Sequence, residues 1–79
     1  MNNMLYDLHL AVGRKCGVKK TCGKKKKFPS EKDAEAAASF HNNWKNKRHD
    51  VEHYPCPFCG FWHIGRKMSF DELVEISLR

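Results

Sequence analysis

The sequence predicts a small α+β domain: a short β-hairpin around a zinc knuckle, a central helix, and an amphipathic helix at each end. Three observations lead there. The segment Tyr54-Pro55-Cys56-Pro57-Phe58-Cys59-Gly60-Phe61-Trp62-His63 sets two cysteines three positions apart, follows the second with glycine and places a histidine four residues beyond it. That is the spacing of a tight turn that aims its ligands at one metal ion. Two Ser-x-x-acid patterns, Ser30 to Asp33 and Ser69 to Glu72, mark helix starts. Finally, a chain of 79 residues buries too little apolar surface for a comfortable stability margin without a disulfide, a metal or a partner chain. We read one domain over residues 1–79, with an amphipathic N-terminal segment at 1–13, a zinc core at 14–67 and a C-terminal helix at 68–79.

The elements follow in order. Met1, Met4, Leu5, Leu8, Ala11 and Val12 recur at helical spacing, and Gly13 is placed to end that helix. Residues 14–28 are basic and punctuated by glycine; Gly17 and Gly23, each beside a cysteine, indicate tight turns. Thr21 to Phe28 reads as a strand closed by Phe28-Pro29. Ser30 then caps a helix expected over residues 31–47: Glu31, Asp33 and Glu35 suit the positive end of its dipole, Ala34 to Ala38 form helix strongly, and Lys45, Lys47 and Arg48 suit the negative end. Ala34, Ala37, His41 and Trp44 share one face, so Trp44 is expected to fill the core. Val51 to Tyr54 enters the knuckle as a strand and Phe61 to Arg66 leaves it as another. Phe70, Leu73 and Val74 form the apolar side of the terminal helix.

A structural zinc takes four tetrahedral ligands with no open position. Cys56, Cys59 and His63 supply three, with Gly60 permitting the turn and Pro55 and Pro57 stiffening it. The fourth is expected to be Cys22, brought to the hairpin by strand pairing, with Cys16 as the alternative. A site of Cys16, Cys22, Cys56 and Cys59 would leave His63 free, but the six-residue step from Cys16 to Cys22 is wider than a knuckle. His9, His41 and His49 are read as non-ligands and His53 as a weak substitute. No secretory leader and no apolar run of membrane-spanning length is visible, so the chain reads as cytoplasmic, where thiols stay reduced and paired cysteines bind metal more often than they cross-link.

The net charge is +6, and Arg14, Lys15, Lys19, Lys20 and Lys24 to Lys27 crowd the first third. Lys24, Lys25, Lys26, Lys27, Arg66 and Lys67 are the candidate phosphate contacts for DNA or RNA, with Phe61, Trp62 or Trp44 available to stack on bases. A charge run also serves as a solvated, solubilising surface. His41-Asn42-Asn43 and His49-Asp50 hold nuclease-type residues, but no carboxylate cluster accompanies them, so no enzyme activity is expected.

The pattern Lys27-Phe28, Glu35-Ala36, then Tyr54-x-Cys56-Pro57-x-Cys59-Gly60-x-Trp62-His63-Ile64-Gly65 resembles small zinc-ribbon-like proteins encoded by bacteria, their phages and mobile elements. The resemblance spans roughly Cys22 to Lys67. It implies a zinc site with Cys56, Cys59 and His63 as matching ligands, and no single activity. For a phage-encoded chain it places the protein in the host cytoplasm. The expectation is therefore a small basic zinc module that binds nucleic acid, or alternatively a phage-type module that binds and modulates a host protein. The amphipathic ends offer a surface for a partner or for homodimerisation.

Overall fold

The computed structural model describes residues 1–79 as six elements: α1 (Asn3–Cys16), α2 (Val18–Thr21), α3 (Glu31–Asn42), β1 (Val51–Pro55), β2 (Trp62–Arg66) and α4 (Phe70–Ser77). The two strands form an antiparallel hairpin with Tyr54 opposite His63 and Pro55 opposite Trp62. Helix α3 packs on the hairpin, while α1 packs against α4, α2 and β1. No helix is long and apolar enough to cross a membrane.

Local chemistry sets the helix starts. Asn2 accepts from the Leu5 N–H, Ser30 from Asp33 and Ser69 from Glu72, each answering one of the orphan donors of a first turn. The ends differ from the sequence expectation. Helix α1 continues through Gly13 to Cys16 and is capped by Gly17, at φ 91°. Gly13 lies inside the helix because α1 passes close to Pro57 and Thr21 there, and a Cβ would approach both at 3.0 Å. Helix α3 stops at Asn42, well short of residue 47. The Asn42 side chain explains the stop. It donates to the Val51 carbonyl at 2.9 Å and accepts from the Val51 N–H at 2.8 Å, so it pairs with β1 as a neighbouring strand would.

The strand expected over Thr21 to Phe28 is absent. Val18–Thr21 is a helical turn that breaks at Cys22 and Gly23, and only Phe28 pairs with the hairpin. Phe28 and Trp62 exchange both backbone hydrogen bonds, at 2.8 and 2.9 Å. This single bridge ties the lysine segment to β2.

The core is narrow. Val12, Phe28, Ala34, Ala38, Val51 and Leu73 are buried with Cys22 and Cys56. Trp44, expected inside, is 59% exposed, and Phe40 is 67% exposed. Their rings pack edge to face with centroids 5.9 Å apart, Phe40 near the end of α3 and Trp44 just past it. The only large side chain with no exposure at all is that of His63.

Candidate metal centre

Four ligand atoms converge at the tip of the hairpin: the sulfurs of Cys22, Cys56 and Cys59 and a ring nitrogen of His63, all within 4.8 Å of one another. Each arrives by a different local device. The Cys56 N–H donates to the Phe61 carbonyl at 2.9 Å, which closes the knuckle, and Gly60 at φ 76° supplies the left-handed turn. The Phe58 N–H points at the Cys56 sulfur at 3.4 Å, as backbone donors do around thiolate ligands. Cys22 is delivered by the C-terminal cap of α2, where its own N–H donates to the Val18 carbonyl at 2.9 Å. A helical turn, and not strand pairing, therefore sets its position. Gly23 at φ 44° turns the chain immediately afterwards.

His63 is oriented by the lysine segment. Its Nδ1 lies 2.7 Å from the Lys26 carbonyl oxygen. A carbonyl only accepts, so Nδ1 donates to it and Nε2 is the nitrogen turned toward the sulfurs. Nε2 faces the Cys59 sulfur at 3.4 Å. A metal-bound histidine whose other nitrogen donates to a backbone carbonyl is the usual outer-shell arrangement. Sequence reading missed the Lys26 carbonyl because a backbone oxygen leaves no signature in residue identity.

Burial and the crowding of the three sulfurs shift the thiols in opposite directions. Burial pushes the Cys22 thiol up to about 11, helped by its contacts with the Cys59 and Cys56 sulfurs. Burial also acts to raise Cys59, but the Phe61 N–H, the other two sulfurs and the Lys27 charge bring it below its ordinary value. Burial, followed by the nearby sulfurs, raises the Tyr54 phenol, which donates to the Thr21 carbonyl at 2.6 Å. All four cysteines are free thiols. Three sulfurs and one imidazole nitrogen, three of the four residues buried, can hold one metal ion in a closed four-coordinate site.

The other candidates fall elsewhere. Cys16 ends α1 and lines a separate cavity, outside the cluster. His53 pairs with Glu31 at 3.1 Å, and His41 meets the His49 carbonyl at 3.3 Å. Lys24 to Lys27 are exposed and run beside the metal centre. Three of them lie over aromatic rings: Lys25 over Tyr54 at 5.5 Å, Lys26 over Phe28 at 5.3 Å and Lys27 over Phe61 at 5.8 Å. Lys67 is exposed, whereas Arg66 is paired with Glu72 at 2.9 Å. Comparison with protein-family models, with characterised proteins and with solved structures gives no match to this chain.

Proposed function

We propose that this chain is a small cytoplasmic module in which one structural zinc ion fixes a basic surface that binds nucleic acid. The choice of zinc rests on the donor set. Three soft sulfurs with one imidazole suit zinc, and ideal tetrahedral bond lengths require S···S and S···N separations of about 3.8 and 3.6 Å. The Cys59–His63 pair at 3.4 Å is close to the second of these.

One observation carries the nucleic-acid reading: none of Lys24 to Lys27 is engaged by an acid in any ion pair of the fold. Lys25, Lys26 and Lys27 are instead held near the hairpin by ring contacts, with their charge free for phosphate. Phe58 and Phe61 are 45% and 42% exposed on the same knuckle and can stack on unpaired bases. Arg66, occupied by Glu72, contributes less than Lys67.

The test is fluorescence anisotropy with labelled mixed-sequence DNA and RNA, single- and double-stranded, across a salt series. Four phosphate contacts give a slope of log K against log salt of about −3.6 on duplex DNA and about −2.8 on single strands. Changing Lys24, Lys25, Lys26 and Lys27 together to Gln should flatten it. No binding at low salt would end this reading.

The exposed Phe40–Trp44 pair favours a second reading, the zinc-ribbon-like phage module that grips a host protein. Aromatic residues of this kind anchor protein interfaces. Phe40→Ala with Trp44→Ala would then abolish capture of one host protein from nuclease-treated lysate, and would leave oligonucleotide binding unchanged.

A further inference from the structure

A cavity of about 440 Å³ opens between α1, the hairpin and α4. Its volume is in the range of small-molecule sites. None of the four candidate metal ligands lines it. Val12, Met68 and Ile76 give it an apolar floor. Four cations reach its walls from four separate parts of the chain: Lys20 from α2, Lys25 from the turn after it, Arg66 from the end of β2, and Arg79. No spacing in the sequence announces that convergence.

Little opposes this charge. Glu52 is the one acidic residue on the wall, and both its oxygens are occupied. One accepts from the Met68 N–H at 2.9 Å and the other lies 3.7 Å from His9 Nε2. Lys20 and Lys25 take part in no ion pair. Arg66 meets Glu72 at 2.9 Å and Arg79 meets Glu75 at 3.7 Å, each through one terminal nitrogen, which leaves the rest of each donor fork available.

The wall around Lys25 is also fixed. Tyr54, whose ring carries the Lys25 ammonium, is anchored through its hydroxyl to Thr21 and stacks on His9 with centroids 6.2 Å apart. Gly65 leaves the room in which that ammonium sits: a Cβ there would come within 3.2 Å of Nζ and 3.1 Å of the Tyr54 ring.

We propose that this cavity binds a small phosphorylated anion of mononucleotide size. A carboxylate brings one charge and two acceptor oxygens to the two unpaired lysines and the free donors of two arginines. A phosphomonoester brings about −1.5 to −2 and three acceptor oxygens, and the apolar floor accommodates the uncharged part. A free nucleotide and the 5′-phosphate end of a nucleic-acid strand share this chemistry. Lys25 is shared with the lysine run, but Lys26 and Lys27 do not line the cavity, so variants at those two positions separate this site from nucleic-acid binding along the run.

The test is calorimetric titration of the zinc-loaded full chain with AMP, adenosine, and an oligonucleotide carrying either a 5′-phosphate or a 5′-hydroxyl. AMP is expected to bind with a Kd below about 1 mM, and adenosine not detectably. Lys20→Glu with Lys25→Glu should weaken AMP by about tenfold or more, with zinc content and circular dichroism unchanged. If those variants fail to fold, Lys20→Gln with Lys25→Gln gives the same reading. Lys26→Glu with Lys27→Glu should leave AMP binding intact. A 5′-phosphate preference in the oligonucleotide, lost with the Lys20 and Lys25 changes, would identify a strand end as the source. The proposal is overturned if AMP binds no better than adenosine and the 5′-phosphate confers no preference. It is equally overturned if the Lys26 and Lys27 changes weaken AMP as much as those at Lys20 and Lys25.

Discussion

Replacing Cys22 and Cys16 separately by serine tests the metal centre most directly. The two cysteines are six positions apart in the same basic segment, and only Cys22 lies in the cluster. A structural zinc contributes on the order of 10 kcal/mol to folding. A domain of 79 residues has a net stability of roughly 4–12 kcal/mol. A zinc ion bound at this site would therefore match or exceed the whole margin. The aliphatic core, with Val12, Val51 and Leu73 as its larger buried members, is too thin to replace it. Cys22→Ser removes one ligand and leaves a hydroxyl that is a poor zinc donor, so we expect loss of stoichiometric zinc and of a cooperative thermal transition. Cys16→Ser changes a half-buried sulfur outside the cluster, a change worth within about 0.5 kcal/mol. At about 4–8 °C per kcal/mol for a domain of this size, its Tm should move by less than about 4 °C. Zinc content by elemental analysis and melting by circular dichroism give both readouts. A Cys22→Ser protein that keeps one equivalent of zinc and melts with the parent would refute the reasoning, as would a Cys16→Ser protein that unfolds.

Three other outcomes follow from the geometry. His63→Ala deletes a ligand and also orphans the Lys26 carbonyl; zinc affinity should fall by about 100-fold or more, measured by competition with a chromophoric chelator. Gly23→Ala should cost more than Gly60→Ala although both sites have positive φ. A Cβ at Gly23 would sit 2.5 Å from the Lys19 carbonyl, whereas one at Gly60 meets nothing within 4 Å. We expect about 1 kcal/mol for Gly60→Ala and at least twice that for Gly23→Ala, and equal Tm losses would contradict the difference. Burial, with the neighbouring His53, holds the His9 pKa below its ordinary 6.5. The unfolded chain therefore binds more protons than the folded one just below pH 6.5, and this contribution to stability is lost as the pH falls through that range. His9→Gln removes the effect, so the stability difference between parent and variant should shift against the parent from pH 7 to pH 5.5 in denaturant melts.

The capped helix starts were legible because a serine followed three residues later by an acid is local chemistry, and both Ser30 and Ser69 cap as written. The hairpin was legible because its strands are adjacent in sequence and flank a Cys-x-x-Cys turn. The helix ends were not, because they depend on partners far along the chain. Gly13 stays helical because Pro57 and Thr21 pack beside it, and α3 stops where Asn42 grips Val51. Trp44 would continue the helical face of Ala34 and His41, but the helix ends at Asn42 and leaves Trp44 exposed.

The sequence by itself determined the local devices: two serine caps, a glycine-assisted knuckle, three adjacent donors in Cys56, Cys59 and His63, and a dense run of lysine. Tertiary structure decided what those devices do together. It brought Cys22 in on a helical turn, aimed His63 through the Lys26 carbonyl, and gathered Lys20, Lys25, Arg66 and Arg79 around one cavity. Caps and knuckles close over three to five residues, so residue identity encodes them. A fourth ligand, a backbone acceptor or a converging charge comes from tens of residues away, and only the path of the folded chain fixes its distance.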